Sequence, residues 1–132
     1  MQRSLDQRVA FITGAAGAIG LQVALDLGRQ GARLALSDRP GPALDAAVAS
    51  LAAQGVEALA LPCDVTSEAE LNGSIDAAAA RWGRLDILVN NAGLQHVAPI
   101  EEFPVERYEL LLKVMLVAPF IAIKRVFPLM KR

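Results

Sequence analysis

Gly14, Gly17 and Gly20 lie within Thr13-Gly14-Ala15-Ala16-Gly17-Ala18-Ile19-Gly20, directly after the apolar run at 9–12. A strand that runs into a glycine-rich turn and then a helix leaves backbone N–H groups unpaired at the positive end of a helix dipole. That is the chemistry of a diphosphate cradle. Small residues at this spacing also let a helix pack closely on a strand, so the turn alone supports either use. Asp38 closes the next apolar run about 20 residues on, where a carboxylate accepts hydrogen bonds from a ribose and repels a 2′-phosphate. The same residue could open an ordinary turn in Ser37-Asp38-Arg39-Pro40-Gly41, and Arg39 beside it offers a cation to such a phosphate. Asp64-Val65 follows the third apolar run and Asn90-Asn91-Ala92-Gly93 the fourth. Both would sit beyond the carboxyl ends of strands, where open α/β sheets bind ligands. Asp64 reads equally as a turn residue, and the asparagines with Gly93 as turn chemistry.

The elements that must position these residues follow one rule: strand, helix, glycine, next strand. Gly31 leads into the run 33–37, Gly55 into 56–61 and Gly83 into 85–89. Glycine just past a helix end adopts the left-handed conformation cheaply. Ile19, Val23 and Leu27 share a helical face, as do Leu44, Val48 and Leu51, and Leu71, Ile75 and Ala79. Ser67 and Glu70 have the spacing of a capping box. Short apolar strands alternating with helices predict a doubly wound parallel sheet in one α/β unit over residues 1–132. A loop at 90–104 then leads into a long helix from about Val105. Pro119 should kink that helix, because it cannot donate to the Met115 carbonyl four residues earlier, and Pro128 repeats the effect.

A formal charge of −1 and a pI near 5.8 argue against nucleic-acid or polybasic membrane binding. The single cysteine, Cys63, excludes an internal disulfide, fits a reducing compartment and reads as a small core residue. Met1 to Arg8 is polar and has no signal-peptide pattern. Lys113, Lys124 and Arg125 break the most apolar region, so no membrane span is expected. No metal site is expected either. A hydrophobic share of 54% and a mean hydropathy of +0.37 point to surface that something outside these residues covers.

Taken together, the four motifs resemble the classical short-chain dehydrogenase/reductase family over essentially the whole chain. The glycine turn is similar to the family's Thr-Gly-x-x-x-Gly-x-Gly, Asp64-Val65 to its adenine-contacting pair, and 85–93 to its Asp-x-Leu-x-Asn-Asn-Ala-Gly segment. The resemblance implies a Rossmann-type sheet in the order 3-2-1-4, the N-terminal half of the family's fold. It implies a nicotinamide cofactor, NAD in preference to NADP given Asp38. Gly14, Gly17, Ile19, Asp38, Asp64, Val65, Asn91 and Gly93 would then bind it. It further implies hydride transfer at a hydroxyl or carbonyl carbon of a small-molecule substrate, a cytoplasmic setting and a homo-oligomer, usually a tetramer.

Three departures stand out. Ala18 replaces the family's middle glycine, and Met115 its catalytic-tetrad asparagine. The catalytic serine and the Tyr-x-x-x-Lys pair belong to a segment beyond these 132 residues. Tyr108, the only tyrosine, has no lysine four residues on and is expected to pack. The loop Gln95-His96-Val97-Ala98-Pro99 resembles that of bacterial 3-hydroxybutyrate dehydrogenases, in which a glutamine holds the substrate carboxylate; Gln95 is the corresponding residue. A non-catalytic NAD-binding module and an interaction scaffold remain as alternatives.

Overall fold

A computed structural model describes residues 3–132. Strands β1 (Val9–Thr13), β2 (Arg33–Asp38), β3 (Ala58–Pro62) and β4 (Ile87–Val89) form a parallel sheet in the order β3-β2-β1-β4. The helices are α1 (Ala18–Arg29), α2 (Pro42–Ala53), α3 (Glu68–Trp82), α4 (Val105–Leu112) and α5 (Ala118–Met130). Every residue of β1 is buried, and its alternation sorts the two layers. Val9 and Phe11 pack with Leu71 and Ile75 of α3 and with Ala118, Ala122 and Val126 of α5. Ala10 and Ile12 face Ala24 of α1 and Leu44, Ala47 and Leu51 of α2. This is the doubly wound Rossmann-like arrangement in the expected strand order.

On α1 the buried stripe is Gly20, Ala24 and Gly28, not the apolar Ile19, Val23 and Leu27. Ile19 is 72% exposed. The helix lies too close to the sheet for larger side chains: a Cβ on Gly28 would stand 2.4 Å from Val56 Cγ1. The glycines after α1, α2 and α3 behave as expected, with φ of +100° at Gly31, +77° at Gly55 and +74° at Gly83. On α3 it is Ala78, one position before Ala79, that completes the buried face.

Two local readings need correction. Ser67 Oγ accepts the Glu70 amide at 3.2 Å, but Glu70 Oε1 accepts from Asp64 N rather than closing a reciprocal box with Ser67. The fourth strand covers only 87–89, because the Asp86 side chain takes over the work of a ladder position. Its Oδ2 accepts from Val9 N at 2.9 Å, while Asp86 N donates to Val9 O at 2.9 Å. Arg84 grips both Asp86 oxygens at 2.9 and 2.8 Å, and Arg8 reaches Oδ1 at 3.4 Å.

Partial burial opposes Asp86 ionisation, but Arg84, the Val9 amide and Arg8 outweigh it and hold its carboxyl below the usual range. A depressed folded pKa means the stabilisation is present above the unfolded value near 3.9 and is lost as pH falls from there through the lower folded value. Asp86→Ala leaves the buried Val9 amide without its acceptor and should cost about 1–3 kcal/mol at neutral pH. The gap between urea melts of the two proteins should begin to narrow as pH falls below about 4; a gap that stays equal from neutral to strongly acid pH would contradict the assignment.

The long helix is continuous from α4 through α5 but contains a π turn at Lys113–Val117, in which Ala118 N donates to Lys113 O. Pro119 supplies no N–H to the Met115 carbonyl, and the helix widens into this π turn just ahead of it. Pro128 lies inside α5, which runs on to Met130. Among the described residues no helix is long and apolar enough to cross a membrane.

Candidate cofactor site

The glycine turn connects β1 to α1 at the carboxyl edge of the sheet. Gly14 adopts φ +64°, and a Cβ there would meet Ala92 Cα at 2.9 Å. At Gly20 a Cβ would lie 2.5 Å from Gly14 O. These two glycines are required by close backbone approach. Gly17 is different: its φ is −80° and its only near neighbour would be Gly14 O at 3.5 Å. Ala18 opens α1 and is exposed, so its methyl leaves the turn undisturbed.

The N-terminus of α1 carries no side-chain cap and no acidic residue in its first turn. Its first amides therefore lack helical partners and face the carboxyl edge with the positive end of the dipole. Asp38 reaches into the same turn, where Oδ2 accepts from Ala16 N at 2.9 Å and Oδ1 from Arg39 N at 2.7 Å. Uncapped amides, open space at Gly17 and a carboxylate alongside are a donor and acceptor set that fits a dinucleotide's diphosphate and ribose.

Asn91 and its neighbours form the opposite wall. Thr13 Oγ1 accepts from Asn91 N at 3.1 Å and from Ala92 N at 3.0 Å, and Asn91 Nδ2 donates to Gly14 O at 3.1 Å. Thr13 is thus the tie between the two segments, a role not read from the sequence; its place as the last residue of β1 was the available signal. A cleft of about 220 Å³ opens beside this wall, lined by Asp38, Arg39, Cys63, Val65, Gly93, Leu94 and Val114. Asp38, Val65 and Gly93 therefore share one cleft; Gly14, Gly17, Asp64 and Asn91 are not among its lining residues, and Ile19 is exposed on the first turn of α1.

Asp64 stands in a turn of its own: Oδ1 accepts from Thr66 N at 2.9 Å and Thr66 Oγ1 at 2.7 Å. The Thr66 hydroxyl and amide hold its carboxyl below the usual range, with smaller help from Arg39 and Lys113. Cys63 is buried, and burial pushes its thiol up, away from thiolate chemistry. Gln95 is exposed on its loop, and His96 meets the Phe103 ring edge-on at 5.0 Å. Tyr108 is not the packing residue the sequence suggested; it is 55% exposed on α4. A larger hollow, about 640 Å³, lies at the amino edge near Arg84, Asp86 and Leu129, away from the glycine turn.

The sequence pattern of the short chain dehydrogenase family matches residues 8–132. The chain belongs to this family. It is 52% identical over 126 residues to an uncharacterized oxidoreductase of Bacillus subtilis, YxjF, covering 96% of this chain and 49% of the relative. Identity to a D-beta-hydroxybutyrate dehydrogenase of Cupriavidus necator is 38% over 130 residues, 97% of this chain and 50% of that enzyme. Among solved structures, an NAD⁺-bound xylitol dehydrogenase superposes with a TM-score of 0.92 at 37% identity, again over 97% of this chain and 50% of the other. The chain spans about half the length of the relatives it matches. Membership supports an oxidoreductase fold with a nicotinamide cofactor, on the terms that the geometry above allows.

Proposed function

We propose that these residues are the cofactor-binding half of an NAD-dependent short-chain dehydrogenase acting on a hydroxyl or carbonyl carbon. The observation that carries this reading is the uncapped N-terminus of α1 with the Asp38 carboxylate hydrogen-bonded into the same turn. When bound, the nicotinamide supplies hydride chemistry. The chain's own residues bind and orient: α1 amides toward the diphosphate, Asp38 toward the ribose, Val65 and Gly93 along the cleft, Asn91 holding the Gly14 carbonyl. Ile19 offers an apolar surface beside the first helical turn, and Asp64 steadies the turn after β3.

Asp38 favours NAD, since a 2′-phosphate would meet its charge. A charged hydrogen bond is worth about 1.5–3 kcal/mol, or roughly ten- to a hundredfold in affinity. NAD at a hundred times its Kd should stabilise the chain by about 2.7 kcal/mol and raise its melting temperature by roughly 5–10 °C, with a smaller shift from NADP. A larger shift with NADP would mean that Arg39 dominates. No shift with either would leave the scaffold reading standing.

The substrate reading rests on Gln95 and on the likeness to the hydroxybutyrate enzyme: a small hydroxy acid, with Gln95 toward its carboxylate. A non-catalytic NAD-binding module is the second reading, favoured by Met115 in place of the tetrad asparagine. A cytoplasmic setting is part of this reading, and the lone free Cys63 is compatible with a reducing compartment.

The homo-oligomer is assigned to the outer face of the long helix. Leu112, Leu116, Phe120, Ile123 and Phe127 form an exposed apolar stripe there, with Phe120 63% exposed. Glu106 and Glu109 stand at one end of this helix and Lys131 and Arg132 at the other, which suits an antiparallel second copy. A monomer by light scattering would remove this assignment.

A further inference from the structure

We propose that Asp38 has two separable roles: a carboxylate oxygen positions the glycine turn, and the carboxylate charge sets the preference for NAD. The second role rests on the dinucleotide reading; the first stands on hydrogen bonds present without a cofactor. The β1–β2 ladder ends at Thr13 and Ser37. Beyond it the turn stays attached to β2 through two successive amides. Ala15 N donates to Ser37 O at 3.1 Å, and Ala16 N to Asp38 Oδ2 at 2.9 Å. The second bond is partly buried, and Ala16 N has no other protein acceptor among the described residues. A side-chain oxygen thus continues the pairing past the last ladder pair and into the turn.

Backbone amides aim Asp38 in its turn. Its carbonyl accepts from Cys63 N at 2.8 Å, which ties β3 to β2 at the same level, and Oδ1 accepts from Arg39 N at 2.7 Å. The residue also lines the cleft with Val65 and Gly93. An ionised carboxylate has about four lone-pair sites. Two amides leave the others for ribose hydroxyls, so cofactor binding need not displace the Ala16 bond. The consequence is a coupling. Removing the side chain relieves the repulsion of a 2′-phosphate, but it also releases the turn that would carry the diphosphate. Asparagine separates the two effects, since it drops the charge and keeps one oxygen. That oxygen serves the part-buried Ala16 amide, while the exposed Arg39 amide turns to water.

Amide hydrogen exchange of the 132-residue chain without cofactor tests the positioning, with Asp38→Ala and Asp38→Asn compared against the native residue. In D38A the Ala16 amide should exchange about ten- to a hundredfold faster, the worth of a hydrogen bond to a charged acceptor. The ladder amides of β1 and β2 should be unchanged, and D38N should recover most of the protection at Ala16. Calorimetry reads the coupling. D38N should bind NADP more tightly than the native chain does, and D38A should bind it about tenfold more weakly than D38N, although both lack the charge. Unchanged exchange at Ala16 in D38A overturns the positioning role, as do equal rates in the two variants or faster exchange spread evenly over the chain. Equal NADP affinity in D38A and D38N overturns the coupling. If neither the native chain nor a variant binds NAD or NADP while the Ala16 effect appears, the cofactor reading falls and the positioning role stands.

Discussion

Gly20→Ala is expected to cost the fold, whereas Gly17→Ala should leave it almost untouched. The two glycines stand three residues apart in one motif, and a helix gains up to about 1 kcal/mol when alanine replaces glycine in its interior. At Gly20 that gain is overwhelmed. The new Cβ would sit 2.5 Å from Gly14 O and 2.9 Å from Ala15 Cα, both backbone atoms that cannot step aside, with Asn91 Nδ2 at 2.8 Å as well. Overpacking of this kind costs about 1–3 kcal/mol and more when backbone must move, out of a total stability typically near 5–15 kcal/mol. The clash would also push Gly14 off its contact with residue 92, so the cofactor cleft loses its wall at the same time. Urea denaturation should show the midpoint of Gly20→Ala well below that of the native chain and of Gly17→Ala. Gly17→Ala should fold normally and lose affinity for NAD, because its methyl would stand where the diphosphate approaches. Equal midpoints for the two variants would contradict the close-approach reading.

The difference between these glycines marks where sequence reading reaches its limit. The motif showed that a turn and a helix start lie at 13–20, and the strand order followed from alternation, glycine punctuation and family likeness. It did not show which glycine bears the crowding. The same limit explains α1: an apolar pattern identifies Ile19, Val23 and Leu27 as a face, but the sheet selects the smallest side chains, Gly20, Ala24 and Gly28, for contact. Hydrophobicity and closeness of packing are separate properties, and only the first is written in the pattern. β4 begins later than its apolar run suggests, because a carboxylate at Asp86 substitutes for backbone pairing with Val9. Such a substitution depends on Arg84 and Arg8 converging on one group from segments more than seventy residues apart in sequence. The candidate cofactor residues were legible as positions along the carboxyl edge. Thr13 was not, since a threonine at a strand end is common and only the fold brings Asn91 and Ala92 to its hydroxyl.

A polypeptide of these 132 residues is expected to bind NAD and yet leave 3-hydroxybutyrate and simple alcohols unoxidised. Taking hydride from an alcohol carbon requires that the hydroxyl proton leave to a positioned base, and general acid–base assistance alone is typically worth about 10²–10⁴-fold. The family's base is a tyrosine with a lysine four residues on. Here Tyr108 is the sole tyrosine, Leu112 stands four residues after it, and it lies exposed on α4. His96 packs against Phe103 on the loop after β4, and Cys63 is buried with its thiol pushed up. Asp64 is held ionised by Thr66, which leaves it a poor acceptor at neutral pH because its basicity is lowered. Lys113, whose charge reaches Asp64, has no tyrosine to serve. Binding and turnover should therefore separate: calorimetry should detect NAD, while NADH absorbance should stay at the level of a protein-free control over hours. Tyr108→Phe should change neither measurement, which distinguishes a missing base from a weak one. Steady NADH formation that Tyr108→Phe abolishes would show that the lone tyrosine is catalytic after all, and would overturn the assignment of these residues to a cofactor-binding half.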